Sequence, residues 1–195
     1  MKLTIVIPTY SSEVHGWCET AAANAKVWKE HCDELIITED GQYCQELHEV
    51  ADLYILHPRL WPADNMNLGW KIALARGADY VLIMDSDVKY VSGDVRELCI
   101  PDAIGAASIV QHPESVSVAP ILCVPKEVTA KMGVYDSQGG KHGLYHFDAD
   151  FQQRTLQYGV HLIGVRTVKV DHEGGMTTKH VFDNPCGHEH NSGRL

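Results

Sequence analysis

Four short apolar runs, LTIVI (3–7), ELIIT (34–38), LYIL (53–56) and YVLIM (80–84), recur through the first half of the chain. None alternates between apolar and polar residues. A run without alternation reads as a strand buried on both faces, as in a parallel sheet. Helical patterns lie between the runs. Val14, Trp17, Cys18, Ala21, Ala25 and Trp28 repeat at helical spacing behind the N-cap candidates Ser11 and Ser12. A short helix fits 42–51, and Met66, Trp70, Ala73 and Leu74 mark another, stopped at Gly77. Strand and helix therefore alternate, which predicts a parallel sheet with helices on both faces and right-handed crossovers.

The second half is less regular. A strand is expected over Val116–Val124, ended by Pro125, then a short helix over 126–132. DSQGGKH (136–142) reads as a glycine-rich loop, 148–158 as a helix, and 160–170 as one or two strands broken at Gly164. The segment after His172 is rich in Gly, His and Asn, lacks periodicity and reads as a flexible tail. The 195 residues fit one domain.

Charge narrows the partners. The formal net charge is -10 and no Lys/Arg cluster is present. Duplex binders need such clusters to neutralise phosphates, so nucleic acid is disfavoured, although a local basic groove stays open. No stretch approaches the ~20 apolar residues of a membrane span. The run after Met1 is too short for a signal peptide core. Six cysteines are scattered without a CxxC pair. These features predict a cytoplasmic protein with free thiols.

In open α/β sheets ligands bind outside the carboxyl ends of the strands. Three of the expected strands end distinctively there: Pro8-Thr9-Tyr10, Glu39-Asp40-Gly41 and Asp85-Ser86-Asp87. Two adjacent carboxylates repel unless a cation lies between them. Oxygen ligands suit Mg²⁺ or Mn²⁺, and magnesium commonly takes one or two carboxylates plus substrate phosphates. The bland readings are a solvated turn for the acidic pair, a turn signal for Asp40-Gly41, and an N-cap for Asp148. Cys186, His188 and His190 could ligate zinc, but their alternate spacing fits no standard finger.

MKLTIVIPTY, IITEDG and NMNLGWKIALARGADYVLIMDSDV, in that order, resemble the GT-A nucleotide-sugar glycosyltransferases, specifically the large inverting family. YHFDADFQQRTLQYGV and VDHEGG are similar to that family's later motifs. The resemblance implies a GT-A, Rossmann-like, mostly parallel sheet flanked by helices in a single domain. Within it, residues 1–90 would form the nucleotide-sugar-binding half, 91–172 the acceptor half and 173–195 the tail.

The resemblance also implies roles. Pro8, Thr9 and Tyr10 would line the nucleotide pocket, with Tyr10 stacking on the base and Asp40 accepting a hydrogen bond from it. Asn67 and Lys71 would face the donor. Asp85 and Ser86 would contact the nucleotide-sugar. Asp85, Asp87 and His172 would hold Mn²⁺ or Mg²⁺, and Asp148 would be the general base. Two departures stand out. Phe147 replaces the family's glutamate before Asp148, so Asp150 competes for the base role. The two lie about 200° apart round a helix and cannot both face one acceptor. The family's DDGS is EDGQ here.

The expected activity is metal-dependent, inverting transfer of a sugar from a nucleoside-diphosphate donor, UDP-linked by preference, to an acceptor hydroxyl. The acceptor could be a glycan, a small molecule, a protein or a modified DNA base. The rival readings are a phage-type glycosyltransferase acting on a nucleic-acid base and a non-catalytic nucleotide-sugar module. A nucleotidyltransferase is disfavoured, because PTYSSEVHG after the first strand carries no Lys or Arg.

Overall fold

The computed structural model describes residues 1–9, 17–58, 60–111, 120–136 and 147–172. The first half alternates as expected. In order come β1 (Leu3–Thr9), α1 (Trp17–Lys29), β2 (Glu34–Asp40), α2 (Gln45–Val50), β3 (Leu53–His57), α3 (Pro62–Ala75) and β4 (Tyr80–Met84). The second half adds β5 (Val88–Ser92), β6 (Ala103–Ile109), β7 (Ile121–Pro125), α4 (Lys126–Met132), α5 (Phe147–Tyr158) and β8 (His161–His172). A single 3-10 turn at Val95–Leu98 precedes β6.

The strands form one sheet in the order β3-β2-β1-β4-β7-β6-β8-β5. The block β3-β2-β1-β4 is parallel throughout. β7 enters antiparallel beside β4, and β6 beside β7, while β6 and β8 are parallel. Alternate residues of β1 serve opposite faces, as the strand period of two requires. Leu3, Ile5 and Ile7 pack with Ala21, Ala25 and Trp28 of α1. Val6 packs with Met66, Trp70 and Ala73 of α3 on the other side. Gly69 sets the spacing of that second layer. A Cβ there would lie 2.4 Å from Val6 Cγ1, so only glycine lets α3 settle this close to β1.

The amino edge of the sheet is pinned by carboxylates. Asp33 accepts from the Leu3 amide (2.7 Å), Asp52 from Leu35 (2.8 Å) and Asp79 from Lys2 (2.8 Å). Lys126 and the Lys2 amide hold the Asp79 carboxyl down at about 2. Buried Glu34 is paired with Lys2 (2.7 Å) and Arg76 (2.6 Å).

Several expectations needed correction. β5 and β6 were not foreseen, and β8 runs through Gly164 without a break, its register shift against β6 falling later, after Ala107–Val165. Not all thiols are free: α1 and α2 pack side by side on one face, and Cys18 and Cys44 are joined by a disulfide with Cα atoms 6.0 Å apart. Cys32, Cys99 and Cys123 are free. Among the described residues no helix is long and apolar enough to cross a membrane. The expected flexible tail, with Cys186, His188 and His190, lies outside the described residues, as do Tyr10 and most of the glycine-rich loop.

Candidate active site at the carboxyl edge

β4 delivers its last residues to the carboxyl edge of the sheet. A tight turn follows, closed by a hydrogen bond from the Val88 amide to the Asp85 carbonyl (3.1 Å). The Asp85 amide donates to the Pro120 carbonyl (3.0 Å), which ties the turn to the chain entering β7. Ser86 and Asp87 are buried at the turn. β5 leaves the turn antiparallel to β8, and the register pairs Val88 with His172. Sheet topology thus brings His172 beside a turn more than eighty residues earlier in sequence.

His172 Nε2 stands 3.2 Å from Asp87 Oδ1 and 3.7 Å from Asp85 Oδ2. One ligand atom from each of Asp85, Asp87 and His172 falls within a 4.8 Å cluster. Asp87 Oδ1 is fully buried and makes no well-formed hydrogen bond; the His172 imidazole, 3.2 Å away, is its charge partner. An orphaned carboxylate oxygen is costly to bury and calls for a cation. Two carboxylates and one imidazole are a donor set suited to Mn²⁺ or Mg²⁺. The contrast with the amino edge is informative, because the acids there hold lysine, arginine or backbone amides, whereas Asp85 and Asp87 repel each other and share one imidazole.

Partial burial of Asp85, whose side chain is still 35% exposed, and then the Asp87 charge raise its carboxyl toward about 7, against a smaller opposing pull from His172. Burial would lower His172, but Asp87 and Asp85 outweigh it and leave the imidazole raised. Both groups therefore hold protons more tightly folded than unfolded. On Asp85 the folded state binds the extra proton between about pH 4 and 7, and His172 extends the window above its ordinary range, so stability falls as pH rises through it. The lowered carboxyls Asp33, Glu34 and Asp52 act in the opposite sense at lower pH. The metal-free protein should accordingly melt at a lower temperature at pH 8 than at pH 5.5, and Mn²⁺ should reverse the difference by taking the protons' place. A flat or rising profile without metal would contradict this account of the cluster.

Asp148 opens α5 and is near enough for its charge to act on Asp85. An aromatic cluster holds that helix end. Phe147 meets Tyr135 edge-on at 4.9 Å, and Phe151 meets Trp70 at 5.7 Å and Tyr135 at 5.0 Å. Trp70 Nε1 donates to Thr129 Oγ1 (3.2 Å). Asp150 is turned elsewhere. Its carboxylate pairs with Arg154 at 3.0 Å, and Arg154 also donates to the carbonyls of Met132 and Val134. Phe147, where the resembling family has glutamate, belongs to the packing.

The remaining expected residues divide. Asp40 is buried at the end of β2, and its Oδ1 accepts from the Leu60 amide (3.2 Å). Beside it Trp61 is 62% exposed at the start of α3. Pro8 and Thr9 are buried in β1, and the Thr9 hydroxyl donates to Glu39 Oε2 (2.6 Å). Thr9 thus braces the edge through Glu39. Asn67 is also turned to structure: its amide donates to the Tyr135 carbonyl (2.8 Å) and accepts from the Tyr135 amide (3.0 Å). Lys71 lies on the exposed face of α3. Sequence reading missed the bond from His57 Nε2 to Asn65 Oδ1 (2.9 Å) and the contacts of Asn24 and Trp28 behind the acidic turn.

No family model and no curated protein matches the sequence. Solved structures do match. A chain from Desulfovibrio desulfuricans G20, provisionally described as a nucleotide-diphospho-sugar transferase, superposes with a TM-score of 0.55 at 10% identity, over 88% of this chain and 81% of that one. The chain has the fold of a nucleotide-sugar transferase. S. aureus TarS matches with a TM-score of 0.60 at 12% identity over 88% of this chain; the match covers only 36% of TarS. At these identities the likeness is one of fold.

Proposed function

We propose that this protein is a metal-dependent, inverting glycosyltransferase that moves a sugar from a nucleoside-diphosphate donor, UDP-linked by preference, to an acceptor hydroxyl. The observation that carries the reading is the Asp85–Asp87–His172 cluster, with its orphaned Asp87 oxygen, at the ligand-binding edge of this fold. A divalent cation bound there would neutralise the donor's phosphates and stabilise charge on the departing nucleoside diphosphate. Asp40, at the carboxyl end of β2, would offer its carboxylate to an imide N–H of the base. Asp148 takes the acceptor proton as the acceptor oxygen attacks the anomeric carbon and the bond to the diphosphate breaks. Inversion follows from a single displacement.

UDP, GDP, dTDP and CDP, each with and without Mn²⁺, provide the test by thermal unfolding. A ligand bound only by the folded state raises apparent stability by mass action, by about 2.7 kcal/mol at a hundredfold excess over Kd. A Mn²⁺-dependent shift with one diphosphate, largest for UDP, is the expected result. No shift with any of the four would remove the donor assignment. Donor binding without transfer or hydrolysis would make the protein a binding module.

A further inference from the structure

We infer that Asn24, on the middle of α1 and outside the cluster itself, is a positioning residue that sets the cation affinity of the Asp85–Asp87 turn. This rests on the reading that Asp85, Asp87 and His172 hold the metal. The Asn24 side-chain amide donates both its hydrogens to the turn's backbone: Nδ2 lies 3.0 Å from the Ser86 carbonyl and 2.6 Å from that of Val88. Four residues on, one turn along the same helix face, Trp28 Nε1 donates to the same Val88 carbonyl at 2.9 Å.

These three donors grip the peptide group that enters Asp87, through the Ser86 carbonyl, and the one that leaves Val88, the next residue, through its carbonyl. The Ser86 carbonyl belongs to the peptide unit that contains the Asp87 amide. Turning that oxygen toward α1 fixes the plane from which the Asp87 side chain departs. The Val88 carbonyl fixes the exit into β5, where Val88 pairs with His172. One amide therefore sets the direction of Asp87 and the relation of the turn to His172. A hexacoordinate cation is strict about such directions. Local propensity does not explain the residue. Asn24 follows three alanines and precedes another, and in mid-helix asparagine is a poorer helix former than alanine. Its amide, committed to two carbonyls outside the helix, accounts for its presence.

The test uses the full chain and Mn²⁺ alone, with free Mn²⁺ followed by electron paramagnetic resonance. Wild type, Asp87→Asn and Asn24→Leu are titrated after far-UV circular dichroism has established that each is folded. Leucine keeps the shape and removes both donors. Loss of a residue that orients metal ligands typically weakens affinity about 10–100-fold, and Asn24→Leu should raise the dissociation constant by that factor. Trp28→Phe removes one donor to Val88 and should weaken binding in the same direction by less, which serves if Asn24→Leu does not fold. A merely structural role would lower the melting temperature and leave the Mn²⁺ affinity of the folded protein unchanged; that result overturns the inference alone. If wild type shows no Mn²⁺ site that Asp87→Asn loses, the metal reading fails, and the role of Asn24 with it.

Discussion

Asp87→Ala should abolish the Mn²⁺-dependent part of nucleoside-diphosphate binding and leave the metal-free protein as stable as before, or more so. The two effects have opposite signs for one reason. Asp87 is 8% exposed, one of its oxygens makes no well-formed hydrogen bond, and Asp85 repels it. Removing a buried charge that lacks adequate partners relieves a desolvation penalty. Removing the same charge from a metal site loses the ligand that the burial serves. A hundredfold fall in affinity corresponds to about 2.8 kcal/mol, and calorimetric titration of UDP with Mn²⁺ reads it directly. An ordinary structural aspartate would behave the other way: the alanine variant would be less stable and would bind nucleotide as wild type does. Unchanged Mn²⁺-dependent affinity would take Asp87 out of the metal site.

The half of the fold that carries the first four strands could be read from the sequence because its signals are local. LTIVI, ELIIT and YVLIM are buried in a parallel block and need no alternation, and the helices between them show their apolar faces. β6 escaped for a physical reason. Its sequence AIGAASI is mostly small residues with weak strand preference, and a long partner, β8, together with close backbone packing holds it in place. A Cβ on Gly105 would lie 2.2 Å from the Leu98 carbonyl oxygen, so this strand is selected for closeness. β5 is short, largely exposed and at the sheet edge, and only its pairing with β8 defines it.

The site divides along the same line. Asp85 and Asp87 announce themselves because carboxylates at the end of an apolar strand are conspicuous. That His172 would meet them depends on the pairing of β5 with β8, which no local pattern displays. A stretch rich in Asn and Gly before a strand reads as ligand contact, and nothing local in it announces that the Asn67 amide also splints the backbone of Tyr135. Asn24 gave no signal at all. One polar residue among alanines on a helix looks like a solvent-facing position until the turn behind it is seen.

The competition between Asp148 and Asp150 is where structure adds most to sequence, and it yields the second large effect. Asp148→Asn should lower transfer by about 10²–10⁴-fold, the usual contribution of a positioned general base, while donor affinity with Mn²⁺ stays near wild type. Asp150→Asn should leave transfer nearly intact. The difference follows from what each carboxylate faces. Asp150 holds Arg154 at 3.0 Å on a partly exposed helix face, a pair worth about 0–1 kcal/mol, and Arg154 retains the Met132 and Val134 carbonyls without it. Asp148 lies within electrostatic reach of Asp85, the edge at which a donor's anomeric carbon would be presented. Isosteric asparagine keeps the shape of both residues and removes only the proton acceptor, so packing around Phe147 and Phe151 is a constant in the comparison. Full turnover by Asp148→Asn with loss in Asp150→Asn would transfer the base role to Asp150 and would require α5 to turn when the acceptor binds. Loss in both, with donor binding intact, would mean that the Arg154 pair sets the orientation of the helix end that presents Asp148.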